Sequence, residues 1–362
     1  MNPAVTVIAS VLVFGFLIFI HEFGHYITAR IFKITIQEFS IGMGPRIVSW
    51  TSKKTNIRYS IALFPIGGYV AMPGENGEYN SKDSENSDDP YADDPNTFGK
   101  KPLWQRFIVT AAGAAVNIVA GFLAMIILTS FIKIGGTTIG KFEDLSDKGY
   151  TVSSSESGLM VGDRIIRVDG KKVAISDELS YEIMRHGNEP IDLVVIRNGT
   201  EETIENVVFP TLDEQGQSFG YMDFRVYETE KKFSSVIRYS FRKGALIVRM
   251  VWESLFDLIT GRYSFAAVSG PVGISGAIGD AVSYGFLAVL NICAIISINL
   301  GVMNLLPIPA LDGGRIFTLL IELVTRKKLP AKVEAIINGV GLLLLLALSF
   351  IVMIKDVFQL IG

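Results

Sequence analysis

Long apolar runs alternate with polar stretches along the chain, and four of these runs have the length of a membrane span. They cover Val5–Phe32, Phe107–Ile132, Phe286–Leu306 and Val333–Ile354. Each comes close to the roughly 20 residues that an α-helix needs to cross the hydrocarbon layer of a bilayer. The pattern therefore predicts a multi-pass α-helical membrane protein with four transmembrane helices.

Two segments between the first and second spans carry other patterns. Asn56–Met72 is apolar or alternating around a turn that contains Gly67 and Gly68, which predicts a membrane-associated β-hairpin or, as the alternative, a loop that dips into the membrane. The acidic stretch Glu75–Pro95 is rich in serine and asparagine and predicts a mobile surface loop without a site of its own.

A folded domain is predicted between the second and third spans, over residues 135–211. The string GLMVGDRIIRVDG at Gly158–Gly170 indicates a loop, a short strand and a tight Asp-Gly turn. Ile191–Arg197 and Glu202–Phe209 flank an Asn-Gly pair, which is a strong hairpin signal. This α+β segment resembles a PDZ domain, a module that binds extended peptides at a sheet edge. A role as a spacer only is the alternative.

Residues 212–283 predict two further features. Phe233–Thr260 has the pattern of a long amphipathic helix on or near the membrane surface. Gly261–Gly285 is rich in small residues around Ser269–Ile274 and predicts irregular backbone against protein or a wet cavity. The predicted units are a first membrane part (1–134), the PDZ-like domain (135–211), this segment (212–283) and a second membrane part (284–362).

Composition and charge agree with a membrane protein. Of the 362 residues, 49% are apolar and 19% are charged, and the mean hydropathy of +0.40 is too high for an ordinary soluble enzyme. The net charge of -3 gives no sign of a nucleic-acid partner. Lysine and arginine gather in the loop after the first span and at Arg326–Lys328, which predicts that both are cytoplasmic. The N-terminus and Thr137–Ser283 are then expected outside.

The string HEFGH at residues 21–25 carries the most specific chemistry. Residues four apart share one face of a helix, so His21 and His25 can hold one divalent ion. Glu22 lies beside them and can act on a water at that ion. Ionisable groups inside an apolar span are costly and are functional candidates by default. The motif therefore predicts a zinc peptidase that works inside a membrane.

A catalytic zinc needs a third protein ligand, and a carboxylate must supply it here. Asp312 in NLLPIPALDGGR is the candidate, because it follows the third span on the predicted cytoplasmic side, level with the histidines. A helix N-cap is the alternative for this aspartate. The remaining histidine, His186, ends the predicted helix of the PDZ-like domain and is expected at the surface.

The same residues leave two other functions as alternatives to a peptidase. A membrane adaptor that binds extended peptides through the PDZ-like domain would not need Glu22. A metal transporter would use the histidine pair, but it would need a polar path that the charges outside the motifs do not line. Both classes are distinguished from a peptidase by whether Glu22 and a metal are required.

HEFGH at the end of a first span, together with NLLPIPALDGGR after a later one, resembles the site-2 protease family of intramembrane zinc metalloproteases. The PDZ-like insertion resembles the bacterial branch known as regulator of sigma-E protease. The resemblance implies a multi-pass protein of the bacterial cytoplasmic membrane, with the active site near the cytoplasmic side. Its implied partners are the lipid bilayer, single-span membrane protein substrates, and extended peptides at the PDZ-like domain.

The resemblance also implies roles for named residues. His21, His25 and Asp312 are implied as Zn²⁺ ligands and Glu22 as the general base. Asn117 matches the family's GxxxN pattern, in which the asparagine stabilises the oxyanion or orients substrate; a hydrogen bond between helices is the alternative. The residues implied to contact substrate are Asn304 and, in the hairpin, Tyr59, Gly67 and Gly68. Only one PDZ-like domain is found, where some members carry two.

Overall fold

The computed structural model describes residues 3–75, 91, 93–143, 153–187, 189–214, 217–262 and 268–361. The helices are α1 (Pro3–Ile31), α2 (Leu103–Phe131), α3 (Ser176–His186), α4 (Phe233–Thr260), α5 (Pro271–Tyr284), α6 (Phe286–Asn304), α7 (Asp312–Thr325) and α8 (Ala331–Ile361). The strands are β1 (Glu38–Thr51), β2 (Arg58–Ala71), β3 (Gly135–Phe142), β4 (Arg164–Val168), β5 (Lys171–Lys172), β6 (Ile191–Arg197), β7 (Thr200–Val207), β8 (Thr211–Glu214), β9 (Gln217–Gly220) and β10 (Phe224–Glu228). Most of the predicted mobile loop, residues 76–90 and 92, lies outside the described part.

The chain forms two compact units, residues 1–124 with 268–362 and residues 125–267. Helices α1, α2, α6 and α8 are long and apolar enough to cross a membrane, so a candidate membrane-spanning helix covers each of the four predicted spans. Most of their outward side chains are apolar and exposed, as expected where lipid rather than protein surrounds a helix.

The β-structure after α1 differs from the predicted hairpin. Glu38–Ile41 of β1 lies between the two ends of β2: it pairs in parallel with Arg58–Ile61 and antiparallel with Gly68–Ala71. The far end of β1, Val48–Thr51, pairs antiparallel with Arg58–Ile61. The two arms of the predicted hairpin over Asn56–Met72 are therefore separated by a strand that the sequence did not reveal, because β1 carries polar and glycine positions that hide its period of two.

A buried carboxylate holds this sheet together. Glu38 is only 6% exposed and accepts two hydrogen bonds from the guanidinium of Arg46, at 2.8 and 2.7 Å. The hydroxyl of Ser60 donates a third at 2.7 Å. The guanidinium of Arg46 hydrogen-bonds this carboxylate and holds the pKa of Glu38 down at about 2, against the opposing effect of burial.

The segment around Ser269–Ile274 is more regular than predicted. Gly270 is the N-cap of α5 and Pro271 occupies its first helical position, so residues 271–284 are helical rather than irregular. The carboxylate of Asp356 on α8 accepts the backbone N–H groups of Gly270 and Gly273, both at 2.9 Å. A proline at the first helical position and a carboxylate on the free N–H groups are both helix-starting features.

The second unit contains a sheet in the order β10-β3-β4-β6-β7, with β5 paired to β4. The predicted hairpin is present: β6 and β7 pair antiparallel, and Asn198 and Gly199 both have positive φ, at 52° and 86°. Helix α3 covers the sheet and places Leu179 and Ile183 in its core. Strand β10 belongs to this sheet, so the domain continues past residue 211, where the sequence had set its end.

Helix α4 lies in the same unit and is the predicted amphipathic helix. Its charged side faces α3, where Lys243 pairs with Asp177 at 2.9 Å and Arg242 with Glu178 at 2.7 Å. Some of its apolar side chains, such as Leu246 and Ile247, are buried, whereas others, such as Trp252 and Phe256, are exposed. His186 at the end of α3 lies beside Asp169, with Nε2 3.3 Å from Oδ2, within this domain.

Candidate active site

Three predicted side chains converge on one point in the first unit, which comprises residues 1–124 and 268–362. Nε2 of His21 and Nε2 of His25 lie 3.3 Å from each other, and each lies 3.3 Å from Oδ2 of Asp312. Among the described residues these three form the one group of histidine, cysteine and acidic side chains that could hold a metal ion. At a rise of 1.5 Å per residue, His21 lies about 15 Å inside the C-terminal end of α1. The cluster is therefore located well inside the length of a candidate membrane span.

The spacing of the three atoms fits a tetrahedral zinc site. Donor atoms that bind zinc tetrahedrally at about 2.0–2.1 Å are about 3.3–3.4 Å apart. The three measured separations all have this value. Oδ2 of Asp312 is buried and has no hydrogen-bond partner within the described residues, a costly state for a carboxylate oxygen without a cation. The residues present fit Zn²⁺ with one position left for a further ligand.

Helix α2 packs closely behind the histidine pair. A Cβ at Gly113 would lie 2.3 Å from Nε2 of His25 and 2.8 Å from Cε1 of His21, so only glycine leaves room for both rings. Nδ1 of His25 donates to the backbone carbonyl of Val109 at 2.8 Å. This hydrogen bond fixes the proton on Nδ1 and leaves Nε2 free to bind a metal.

A tight turn between α6 and α7 delivers the carboxylate. Pro307 and Pro309 prevent α6 from continuing, and Ala310 has a positive φ of 72°, a strained value for a residue with a side chain. Asp312 is the first residue of α7 and not its N-cap, which is Leu311. The alternative that Asp312 serves only as a cap is therefore wrong.

Glu22 lines a cavity of about 720 Å³ that also contains the three converging side chains. It is 7% exposed. Strand β2 passes directly beside it at Gly68, where a Cβ would lie 2.7 Å from Cγ of Glu22 and 2.7 Å from the carbonyl oxygen of Ser40. Glycine at this position allows the sheet to form one wall of the cavity.

Comparison with known proteins assigns the family. Residues 9–348 match peptidase family M50. The chain belongs to this site-2 protease family. A zinc metalloprotease of Fusobacterium nucleatum is 35% identical over 98% of this chain and 99% of its own length, and one of Clostridium acetobutylicum is 32% identical over 97% of each. The regulator of sigma-W protease RasP of Bacillus subtilis is 28% identical over 98% of this chain and 99% of its own length. The protein is thus a zinc metalloendopeptidase of family M50, with Zn²⁺ as its metal.

The other predicted site residues of this M50 peptidase fall in different places. Asn304, the last residue of α6, lines the cavity, as does Gly68. Tyr59 lies in the inner arm of β2, where its hydroxyl bonds that of Tyr26 at 2.9 Å, and it is not among the cavity-lining residues. Gly67 has a φ of 90° at the bend and is likewise not among them. Asn117 is fully buried, and its amide nitrogen lies 3.4 Å from Nδ1 of His21.

Sequence reasoning missed one ion pair in the cavity. Arg315, one turn after Asp312 on α7, pairs with Glu75, and both line the cavity. Glu75 is the first residue of the stretch that was predicted to carry no site, so that prediction is wrong for this residue. The sequence did carry a signal for Arg315, because this residue ends the NLLPIPALDGGR motif. It carried none for the partner Glu75, which comes from a distant part of the chain.

Proposed function

We propose that this protein is an intramembrane protease that hydrolyses peptide bonds within or near the transmembrane segments of single-span membrane proteins. One observation carries the proposal: three donor atoms lie 3.3 Å from one another, two of them on a candidate membrane-spanning helix, together with the buried carboxylate of Glu22 on that same helix. Soluble proteins could not reach a site at this depth, whereas a membrane segment can enter from the lipid.

His21, His25 and Asp312 would hold the zinc ion. When bound, zinc lowers the pKa of a coordinated water and polarises a peptide carbonyl. Glu22 then removes a proton from the attacking water and passes it to the nitrogen of the leaving amine. Asn304 lies on the cavity wall, where its amide can bind the substrate backbone.

The sheet beside Glu22 supports a way to unwind the substrate. Gly68, Tyr69 and Val70 line the cavity, and within the described residues the outer edge of Gly68–Ala71 pairs with no other strand. A helical substrate shields its own amides, so it must become extended before cleavage. Addition as a further strand to this edge would expose the scissile bond while it satisfies the substrate backbone in an apolar place.

The inserted domain supports a second binding function. Its sheet has two outer strands, β10 and β7, and in the part of the chain described neither outer edge pairs with another strand. We propose that this PDZ-like domain binds extended peptides by strand addition. Candidate substrates for the whole protein are an anti-sigma factor already clipped outside, or signal peptides that remain in the membrane.

The distribution of positive charge supports a topology in a bacterial cytoplasmic membrane. Lysine and arginine of the loop between α1 and α2, together with Arg326–Lys328 between α7 and α8, would face the cytoplasm. The inserted domain would then lie outside and the active site near the cytoplasmic side. Labelling of single cysteines introduced into Cys293→Ser protein in intact cells measures this topology directly.

Cleavage of single-span peptides tests the activity. We expect the wild-type protein in detergent to cut such peptides, and expect cleavage to stop with a zinc chelator and in Glu22→Gln. That variant should still bind zinc, because Glu22 is not among the three converging residues. Gly15→Ala is a matched control on α1, since no neighbouring atom of the described residues lies within 4 Å of a Cβ there. Cleavage that persists in Glu22→Gln or with the chelator would overturn the proposal. Peptide binding by the wild-type protein without cleavage would favour a binding adaptor, and vectorial zinc uptake into vesicles would favour a transporter.

A further inference from the structure

Asn117 lies behind His21 and does not face the cavity. It is 0% exposed, and the described residues that line the cavity do not include it. Its amide contacts Nδ1 of His21, whereas the atom of His21 that faces His25 and Asp312 is Nε2. The two nitrogens point in different directions from the ring. A group that contacts Nδ1 is therefore positioned to act on the histidine and not on a substrate carbonyl.

The position of the ring proton in a metal-bound His21 decides whether the amide nitrogen or the amide oxygen of Asn117 faces the ring. If Nε2 binds zinc, Nδ1 carries the proton and needs an acceptor. The amide nitrogen of Asn117 now lies 3.4 Å from Nδ1, while its Oδ1 is buried without a hydrogen-bond partner in the described residues. A rotation of the amide by about 180° exchanges the two atoms and brings Oδ1 to Nδ1–H. It leaves the backbone where it is.

The backbone around Asn117 is held at this place by α6. The hydroxyl of Ser297 donates to the carbonyl oxygen of Asn117 at 2.7 Å, and Ser297 is 2% exposed. This bond connects α6 to the turn of α2 that faces the histidines. His25 has the corresponding arrangement, because its Nδ1 donates to the carbonyl of Val109 on the same helix. Helix α2 thus offers an acceptor to each of the two rings.

We infer that Asn117 is a positioning residue, which accepts the Nδ1–H of His21 through Oδ1 and so orients that ring for zinc. The inference rests on the proposed role of His21 as a zinc ligand. It assigns Asn117 a role different from the oxyanion contact that the family resemblance implies. The backbone of Gly113, which also hydrogen-bonds His21, is the competing acceptor.

Zinc affinity of two variants tests the inference in the full-length protein. Asn117→Leu removes the acceptor, and we expect zinc affinity to fall about 10- to 100-fold, measured by competition with a chromogenic chelator. Asn117→Asp keeps an acceptor but no donor, and we expect zinc affinity within a few-fold of wild type and measurable cleavage. An oxyanion contact requires a donor, so that role predicts the same normal zinc affinity for Asn117→Asp but no cleavage.

Two controls distinguish a loss of folding from a loss of orientation of the His21 ring. Asn299→Leu also removes an amide from a span, at a site where the buried Oδ1 has no hydrogen-bond partner among the described residues, and should leave zinc affinity unchanged. The visible spectrum of the cobalt-substituted protein should change in Asn117→Leu and stay close to wild type in Asn117→Asp. Wild-type zinc affinity in Asn117→Leu would overturn the inference and favour Gly113 as the acceptor. Should Asn117→Leu fail to fold, Asn117→Asp decides alone, and loss of zinc or of cleavage there overturns the inference.

A different outcome would overturn the metal assignment itself. If wild type and His21→Ala bind zinc equally, His21 is not a ligand and the proposed function fails at that residue. The result for Asn117→Leu does not affect that comparison. The failure of the inference is thus distinguishable from the failure of the function on which it rests.

Discussion

Arg106 at the start of α2 forms a two-pronged ion pair with Glu322 on α7. The two N–O distances are 2.9 and 2.6 Å, and the side chains are 9% and 16% exposed. Helix α7 begins at Asp312, and α2 carries Gly113 behind the histidines. The pair therefore joins the helix that delivers the carboxylate to the helix that supports the imidazoles.

Removal of one partner of this ion pair should lower the free energy of unfolding more than removal of both partners. Arg106→Met leaves Glu322 as an unpaired buried charge, and we expect a loss of about 3–5 kcal/mol in the free energy of unfolding. Arg106→Met with Glu322→Leu should recover most of it. Thermal denaturation in detergent, with zinc present and absent, measures both. Equal losses in the single and double variants would contradict a buried pair.

Gly113→Ala should weaken zinc binding while the fold survives. The added methyl group would lie 2.3 Å from Nε2 of His25, so the rings must move apart. We expect at least a roughly 10-fold loss of zinc affinity, because ligand geometry controls affinity. Gly276→Ala is the control, since its Cβ would have no neighbour within 4 Å in the part of the chain that the structure describes. Equilibrium dialysis with zinc compares the two, and normal zinc binding by Gly113→Ala would show that α2 is not packed this tightly.

Gly68→Ala should reduce catalysis without loss of zinc. Its Cβ would lie 2.7 Å from Cγ of Glu22, so either the carboxylate or the strand must shift. A displacement of about 1 Å at a catalytic group can cost about 100-fold in rate. Gly339 also lies on the cavity wall, and a Cβ there would have none of the described residues within 4 Å, so Gly339→Ala should be neutral. Steady-state cleavage rates and zinc content distinguish this result from a loss of metal.

Asp163 should make the inserted domain sensitive to acid. Its side chain lies in a residue that is only 1% exposed, and burial alone would raise its pKa. The guanidinium of Arg197 donates two hydrogen bonds to the carboxylate, at 2.8 and 2.7 Å. These bonds and the backbone N–H of Met160 hold the pKa of Asp163 below its usual value. A lowered pKa in the folded state means that the stabilisation is present above about pH 3.9 and is lost as the pH falls through the folded pKa.

Asp163→Asn should remove this dependence and cost about 3 kcal/mol of local stability near neutral pH. Hydrogen exchange of the segment around Asp163 in the full-length protein, between pH 3 and 7, measures the change. Glu201→Gln, at an exposed position on β7, is the control and should exchange like wild type. The interpretation would be wrong if Asp163→Asn kept the acid dependence of the wild type.

The local sequence pattern was enough to predict the features that depend only on neighbouring residues. The four spans follow from length and hydropathy, and the shared face of His21 and His25 follows from the helical repeat. The β6–β7 hairpin follows from the turn preference of Asn198-Gly199. In each case the physical cause acts within a few residues, so the sequence alone contains it.

Contacts between distant segments were decided only by the tertiary structure. Strand β1 inserts between the arms of β2, Glu75 reaches Arg315, and the amide of Asn117 faces the back of His21. None of these has a local signature, because each depends on which surfaces pack when the helices assemble. The sequence by itself determined which residues could bind a metal in a membrane. Packing of α2 and α7 against α1 decided that three of them meet and how the rest are arranged around them.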